Sequence, residues 1–115
     1  MKLAVLLTVA LVLAGCGGHK PSAQTVANTA LLDRVPVYPG SAGAKTAPGE
    51  AFGARDWTLP AKANANVVID WYVAQLQARG WKVSGKSFNT IRASKSGAKV
   101  SVGVRARTLE VIANA

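Results

Sequence analysis

Apolar positions along this chain follow three successive patterns. Residues 3–13 form a nearly unbroken apolar run. Val68, Ile69, Tyr72, Val73 and Leu76 then recur at spacings of three and four. From Ile91 to Val111 apolar and polar residues alternate with period two. The middle pattern predicts an amphipathic helix over residues 61–79, with Asn66, Asp70 and Gln77 on its polar face. Asn64 suits the N-cap, where a side-chain oxygen accepts amide hydrogens left free in the first turn. Gly80 suits the stop, because it reaches positive φ without steric cost, and Trp81 is placed to fold back over the last turn.

The alternating stretches predict strands. Residues 54–59 place Trp57 and Leu59 on one face, and Pro60 ends that strand. Residues 81–85 form a second and residues 89–94 a third, with Ile91 and Ala93 inward. A hairpin turn at 95–97 leads to 99–106, where Val100, Val102, Val104 and Ala106 point one way. Leu109 and Val111 continue one residue out of phase, so a turn or bulge intervenes near Arg107. Residues 35–41 are extended into a turn at Pro39-Gly40, and residues 42–53, with Gly43, Pro48 and Gly49, read as a loop. The expected fold is α+β: an antiparallel sheet of about four to five strands in β-α-β-β-β order, with one amphipathic helix on one face.

The first run is too short to cross a bilayer as a helix, which takes about 20 apolar residues. Met1 and Lys2 before it and small residues after it match an export signal. Leu13-Ala14-Gly15-Cys16 resembles the lipobox of bacterial lipoproteins, with the chain's only cysteine in the position that the motif requires. A thiol is the soft nucleophile that takes a diacylglyceryl group as a thioether. Small neighbours let the extended backbone enter a peptidase site. The expected organisation is a signal peptide over residues 1–15, a lipidated flexible tether over 16–34, and a small α+β domain over 35–115. The protein is then extracytoplasmic and lipid-anchored, with a palmitate-type acyl anchor on Cys16 as its membrane contact. Two or three acyl chains, at about 0.8 kcal/mol per buried CH₂, hold such a chain stably. Within the tether, the spacing also permits a short helix over residues 25–32.

A second resemblance lies in the domain. Tyr38-Pro39-Gly40-Ser41, Val68-Ile69-Asp70-Trp71-Tyr72 and Gly80-Trp81 resemble the ordered "Y-P-G-A", "V-V-x-F-Y" and "G-W" motifs of small bacterial lipoprotein domains. Ser41 replaces the more usual alanine and Trp71 the more usual phenylalanine. The resemblance implies an envelope location and a fold, and carries over no catalytic residue.

The chemistry-bearing residues are few. With 115 residues the chain makes one domain, and one Cys and one His exclude a disulfide framework and a histidine-rich metal centre. His19 lies in the tether and Cys16 is consumed by lipid, so no serine or cysteine has a histidine beside it in the expected domain. Asp33, Glu50, Asp56, Asp70 and Glu110 are scattered, so any carboxylate pair has to be assembled by the fold. Neither phosphate-loop pattern, G-x-G-x-x-G or G-x-x-x-x-G-K-[ST], occurs after residue 16. The expectation is a non-enzymatic protein with no cofactor and no metal.

Two surfaces remain. Tyr38, Trp57, Trp71, Tyr72 and Trp81 are either core or the lining of a cleft. Tyr38 and Trp71, the latter at the edge of the helix stripe, are the candidates for partner contact. The stronger signal is charge: 14 Lys and Arg against 5 Asp and Glu, a net +9. If the strand valines face the helix, Arg92, Lys99 and Arg105 face away, joined by Arg107, on a basic sheet face. That face is suited to an anionic envelope polymer, lipid headgroups or an acidic protein. Nucleic acid is disfavoured: export removes the chain from most of it, and Phe88 is the one aromatic available for stacking.

Overall fold

The computed structural model describes residues 22–47 and 53–115. Cys16, His19 and Glu50, with the expected signal peptide over residues 1–15, lie outside the described residues. The elements are α1 (Ala23–Arg34), β1 (Ala42–Ala47), β2 (Gly53–Thr58), α2 (Ala65–Ala78), β3 (Lys82–Lys86), β4 (Thr90–Lys95), β5 (Ala98–Arg105) and β6 (Thr108–Asn114). The strands form one antiparallel sheet in the order β1-β2-β6-β5-β4-β3. The α+β class and the antiparallel sheet stand as expected, but the described residues hold six strands and two helices rather than four to five strands and one.

The two additional elements come from segments with little hydrophobic contrast. Residues expected to belong to a loop form β1, an Ala/Gly-rich strand paired with β2. Residues expected to be tether, with a short helix permitted over 25–32, form the longer α1, capped by Ser22, whose hydroxyl accepts from the Thr25 N–H at 3.1 Å. α1 belongs to the core: Asn28, Leu31 and Leu32 are buried on it, and Val35 follows one turn later. The folded unit therefore begins near Ser22, not at Val35.

One face of the sheet holds the core. From α2 come Val68, Ile69, Tyr72 and Leu76; from the strands come Trp57, Ile91, Ala93, Val100, Val102, Val104, Leu109, Val111 and Ala113. Together with Leu31, Leu32 and Leu59 they make one cluster. α2 is bounded as its sequence predicts. The Asn64 side chain accepts from the Asn66 and Val67 N–H groups. At the other end the Trp81 N–H reaches the Leu76 carbonyl and the Gly80 N–H that of Gln77, with Gly80 at φ 87°. These are the paired bonds of a Schellman stop.

α1 packs close against β2 at Gly53. A Cβ there would lie 2.9 Å from the Asn28 Cβ and 3.1 Å from Leu32 Cδ1, so any larger residue pushes the helix off the sheet. The β4–β5 turn uses Ser96 and Gly97, both at positive φ, which suits the twist of a two-residue hairpin. Ala106, expected to continue the inward row of β5, instead leaves the strand. It sits in the β5–β6 turn at φ 56°, exposed, and the register resumes with Arg105 opposite Thr108. Among the described residues no helix is long and apolar enough to cross a membrane.

Candidate functional site

The face of the sheet away from both helices carries no covering element among the described residues. Strand alternation sends Val100, Val102 and Val104 to the core, so Lys99, Ser101, Gly103 and Arg105 face outward. Arg92 is in register with Ser101, and Ser94 with both Lys99 and Lys82. Arg92, Lys99 and Lys82 are thus neighbours across three strands, and all three are exposed. A shallow concavity of about 300 Å³ is lined by Arg92 and Lys99, with Ser84, Ser94, Ser101 and Asn114. Gly85 stands opposite Arg92, whose Nε would lie 3.6 Å from a Cβ at that position, so the guanidinium passes over the glycine on the edge strand.

The charge on this face is not internally neutralised. Among the described residues the ion pairs are Arg55–Asp33 at 2.8 Å and Lys86–Asp70 at 2.9 Å, both on the helix side. Lys82, Arg92, Lys99 and Arg105 make no ion pair or side-chain hydrogen bond among the described residues.

The sequence-derived set of cations is only partly assembled. Arg92 and Lys99 come together. Arg105 lies six positions along β5 from Lys99, about 20 Å at the usual rise per residue. Arg107 is engaged elsewhere. Its Nη2 donates to the Leu59 carbonyl at 3.0 Å, while its own carbonyl accepts the Leu59 N–H at 2.7 Å. That two-way clamp fastens the β5–β6 turn to the end of β2. Lys82 takes the place that the sequence reading gave to Arg107. Its phase opposite Val83 was the available signal.

Near Arg105 the fold assembles a carboxylate pair that no sequence motif announces. Asp56 on β2 is directly opposite Glu110 on β6, and that row continues to Gly103 and Thr90. Both acids and Arg105 line a second concavity of about 320 Å³, together with Asn89, Ser101 and Thr108. Asp56 Oδ1 is buried there without a hydrogen-bond partner. Like charges directly opposite on a sheet repel, so this end of the face is electrostatically opposed to the Arg92–Lys99 end. Among the described residues no three His, Cys, Asp or Glu side chains group together.

The aromatic residues form a separate corner. Trp71 makes edge contacts with Tyr38, centroids 5.4 Å apart, and with Tyr72, 4.9 Å apart. Tyr72 is fully buried, and its hydroxyl accepts the Tyr38 N–H at 3.1 Å. Burial pushes its phenol up to about 12, against a smaller lowering from that N–H. The Tyr38-Pro39-Gly40-Ser41 segment closes a turn: the Ser41 N–H donates to the Tyr38 carbonyl and Gly40 adopts φ 87°, the geometry that Pro-Gly supplies. Tyr38 and Trp71 are half-buried rather than fully displayed. Val37 and Val67 beside them are 41% and 56% exposed. The three short motifs behind the lipoprotein resemblance therefore form a turn, a core-facing helix stripe and a helix stop.

No protein-family model, curated protein or solved structure matches this chain.

Proposed function

We propose that this chain is a lipid-anchored protein of the cell envelope, non-enzymatic, that uses its basic sheet face to bind an anionic ligand. The observation that carries the binding part is the placement of Arg92 and Lys99 on a hydroxyl-lined concavity, with Lys82 in register with Ser94 beside them and no acidic side chain paired to any of the three. Guanidinium and ammonium groups supply charge, and Ser84, Ser94 and Ser101 supply neutral donors and acceptors. This is the mixture that holds an oxyanion without a metal. Its uncompensated charge exceeds what solubility needs. The anchor rests on the Leu13-Ala14-Gly15-Cys16 motif.

The test has two arms. Radiolabelled palmitate should enter the wild-type chain in a bacterial host and be absent from Cys16→Ser. Equal labelling of both would end the lipid-anchor reading. Arg92→Gln/Lys99→Gln should lose most binding to an anionic wall polymer at low salt and keep the parent's thermal stability. Unchanged binding would make the charge incidental. A second reading, an assembly accessory that contacts a partner protein through Tyr38 and Trp71, is favoured by the exposed Val37 and Val67 beside that corner. Such a contact should withstand salt, whereas polyanion binding should weaken as the screening length falls from about 10 Å at 0.1 M to about 3 Å at 1 M.

A further inference from the structure

α1 changes the geometry of attachment. With residues 23–34 in a packed helix, only five residues lie between Cys16 and the Ser22 cap, and the six steps from one to the other reach about 20 Å when fully extended. The helix also starts at a defined place. Gln24 Nε2 donates to the Ala115 carbonyl at 3.2 Å and to Asn114 Oδ1 at 3.4 Å, and Asn114 is in register with Lys99. The chain therefore enters the domain at the end of the sheet where β5 begins and β4 and β6 finish.

Cations collect at that same end. A groove of about 660 Å³ runs between the last turns of the two helices and the β4–β5 turn. It has Leu31, Val35, Trp81 and Ala98 as its apolar lining and Arg34, Arg79 and Lys95 as its charged lining. Lys82 and Lys99 lie at the same end of the sheet but on its outer face, each in register with Ser94. The acid nearest in sequence, Asp33, is held by Arg55 at 2.8 Å. Asp56 and Glu110 stand opposite each other and level with Gly103, toward the other end of β5. The outer side of α1 presents Ala23, Val26, Thr29 and Ala30, none charged, with Val26 55% exposed.

We infer that this end of the domain, with Arg34, Arg79 and Lys95 around the Trp81-lined groove, docks on the surface of an anionic phospholipid bilayer. The inference rests on the lipid-anchor reading for its tether and goes beyond the sheet-face reading in naming a different surface and its occupant. Three features agree on a bilayer. Positive charge is concentrated where the chain would leave the membrane. The tether is too short to carry the domain away from the headgroups. A half-buried tryptophan and short apolar side chains sit among the cations, as at membrane interfaces. Juxtamembrane cations act within a screening length of the surface, and a tether of about 20 Å keeps them near it.

Residues 16–115 carrying Cys16→Ser keep every described residue and lack both the thiol and the apolar signal run. Their binding can be measured by co-sedimentation with phosphatidylglycerol/phosphatidylcholine vesicles and with pure phosphatidylcholine vesicles. The expected result is binding to the anionic vesicles alone, lost at about 1 M salt. Each cation near the surface adds about 1 kcal/mol, or roughly fivefold in affinity. Arg34→Gln/Arg79→Gln should therefore weaken binding about 25-fold, and Arg92→Gln/Arg105→Gln at most about threefold. Lys95 is spared because its Nζ caps the Arg79 carbonyl at 2.7 Å. If thermal unfolding shows the first pair to be misfolded, Arg34→Gln alone replaces it, with a loss of about fivefold expected, since that side chain has no partner among the described residues. Equal binding to neutral vesicles, or a loss from the sheet-face pair as large as from the groove pair, overturns the inference. Palmitate labelling in cells reads the anchor separately, because the vesicle assay uses a chain without a thiol.

Discussion

Asn28 and Ala115, 87 positions apart, are joined by a hydrogen bond in which the Ala115 N–H donates to Asn28 Oδ1 at 2.8 Å. Asn28 is 1% exposed and also accepts from Gln24 Nε2 at 2.8 Å. One buried amide thus ties the first helix to the end of the last strand. Replacing it by Ala leaves the Ala115 N–H without this acceptor. Asn28→Ala should destabilise the protein by about 1–3 kcal/mol in urea unfolding, with little change in the slope of the transition.

The position of the folded unit's first residue is testable by truncation. A chain from residue 35 lacks Leu31 and Leu32, which are 3% and 1% exposed in the intact structure. It should show no cooperative thermal transition, whereas a chain from residue 22 should show one. Within the full chain, Leu32→Ala should cost about 2–5 kcal/mol. A cooperative transition for residues 35–115 at the parent's midpoint would assign α1 to the tether after all.

Tyr72 supplies a pH dependence of known sign. Its phenol rises from 10.0 to about 12 because burial disfavours the charged form, so the folded state holds the proton more tightly than the unfolded one. The contribution is complete below pH 10 and is lost as pH rises toward about 12, amounting to roughly 3 kcal/mol across that window. Alkaline unfolding monitored by circular dichroism should coincide with the appearance of one tyrosinate at 295 nm. Tyr72→Phe should remove that part of the alkaline loss, while costing about 1 kcal/mol at neutral pH for the bond from Tyr38.

The Asp56–Glu110 pair predicts a gain rather than a loss. Two acids directly opposite on adjacent strands repel. Glu110→Gln should raise stability by about 0.2–1 kcal/mol at pH 7, read as a higher unfolding midpoint with an unchanged circular dichroism spectrum. A drop of that size would mean that Glu110 holds a favourable partner which the repulsion argument omits.

Much of the fold is legible in the chain because its period is strong there. Val68, Ile69, Tyr72 and Leu76 mark α2, Asn64 and Gly80 bound it, and Val100, Val102 and Val104 set which side of β5 is core. From that phase alone Arg92, Lys99 and Arg105 fall on the outer face. The same rule, applied to Lys82 beside Val83, reaches the cation that completes the group.

What the chain alone left undecided is wherever the sequence lacks contrast or the answer depends on register. α1 buries an asparagine and two adjacent leucines among alanines, at the spacing Asn28, Leu31, Leu32, Val35. The stripe is recognisable only once Asn28 is known to be inside, and that is decided by Ala115. β1 has no large apolar residue to alternate, so it is a strand because β2 offers it an edge. The pairing of Asp56 with Glu110, the departure of Arg107 to Leu59, and the cluster of Arg34, Arg79 and Lys95 all join residues far apart in the chain. Local pattern determines which face a side chain takes. Only the pairing of strands and the docking of helices determines which side chain it meets there.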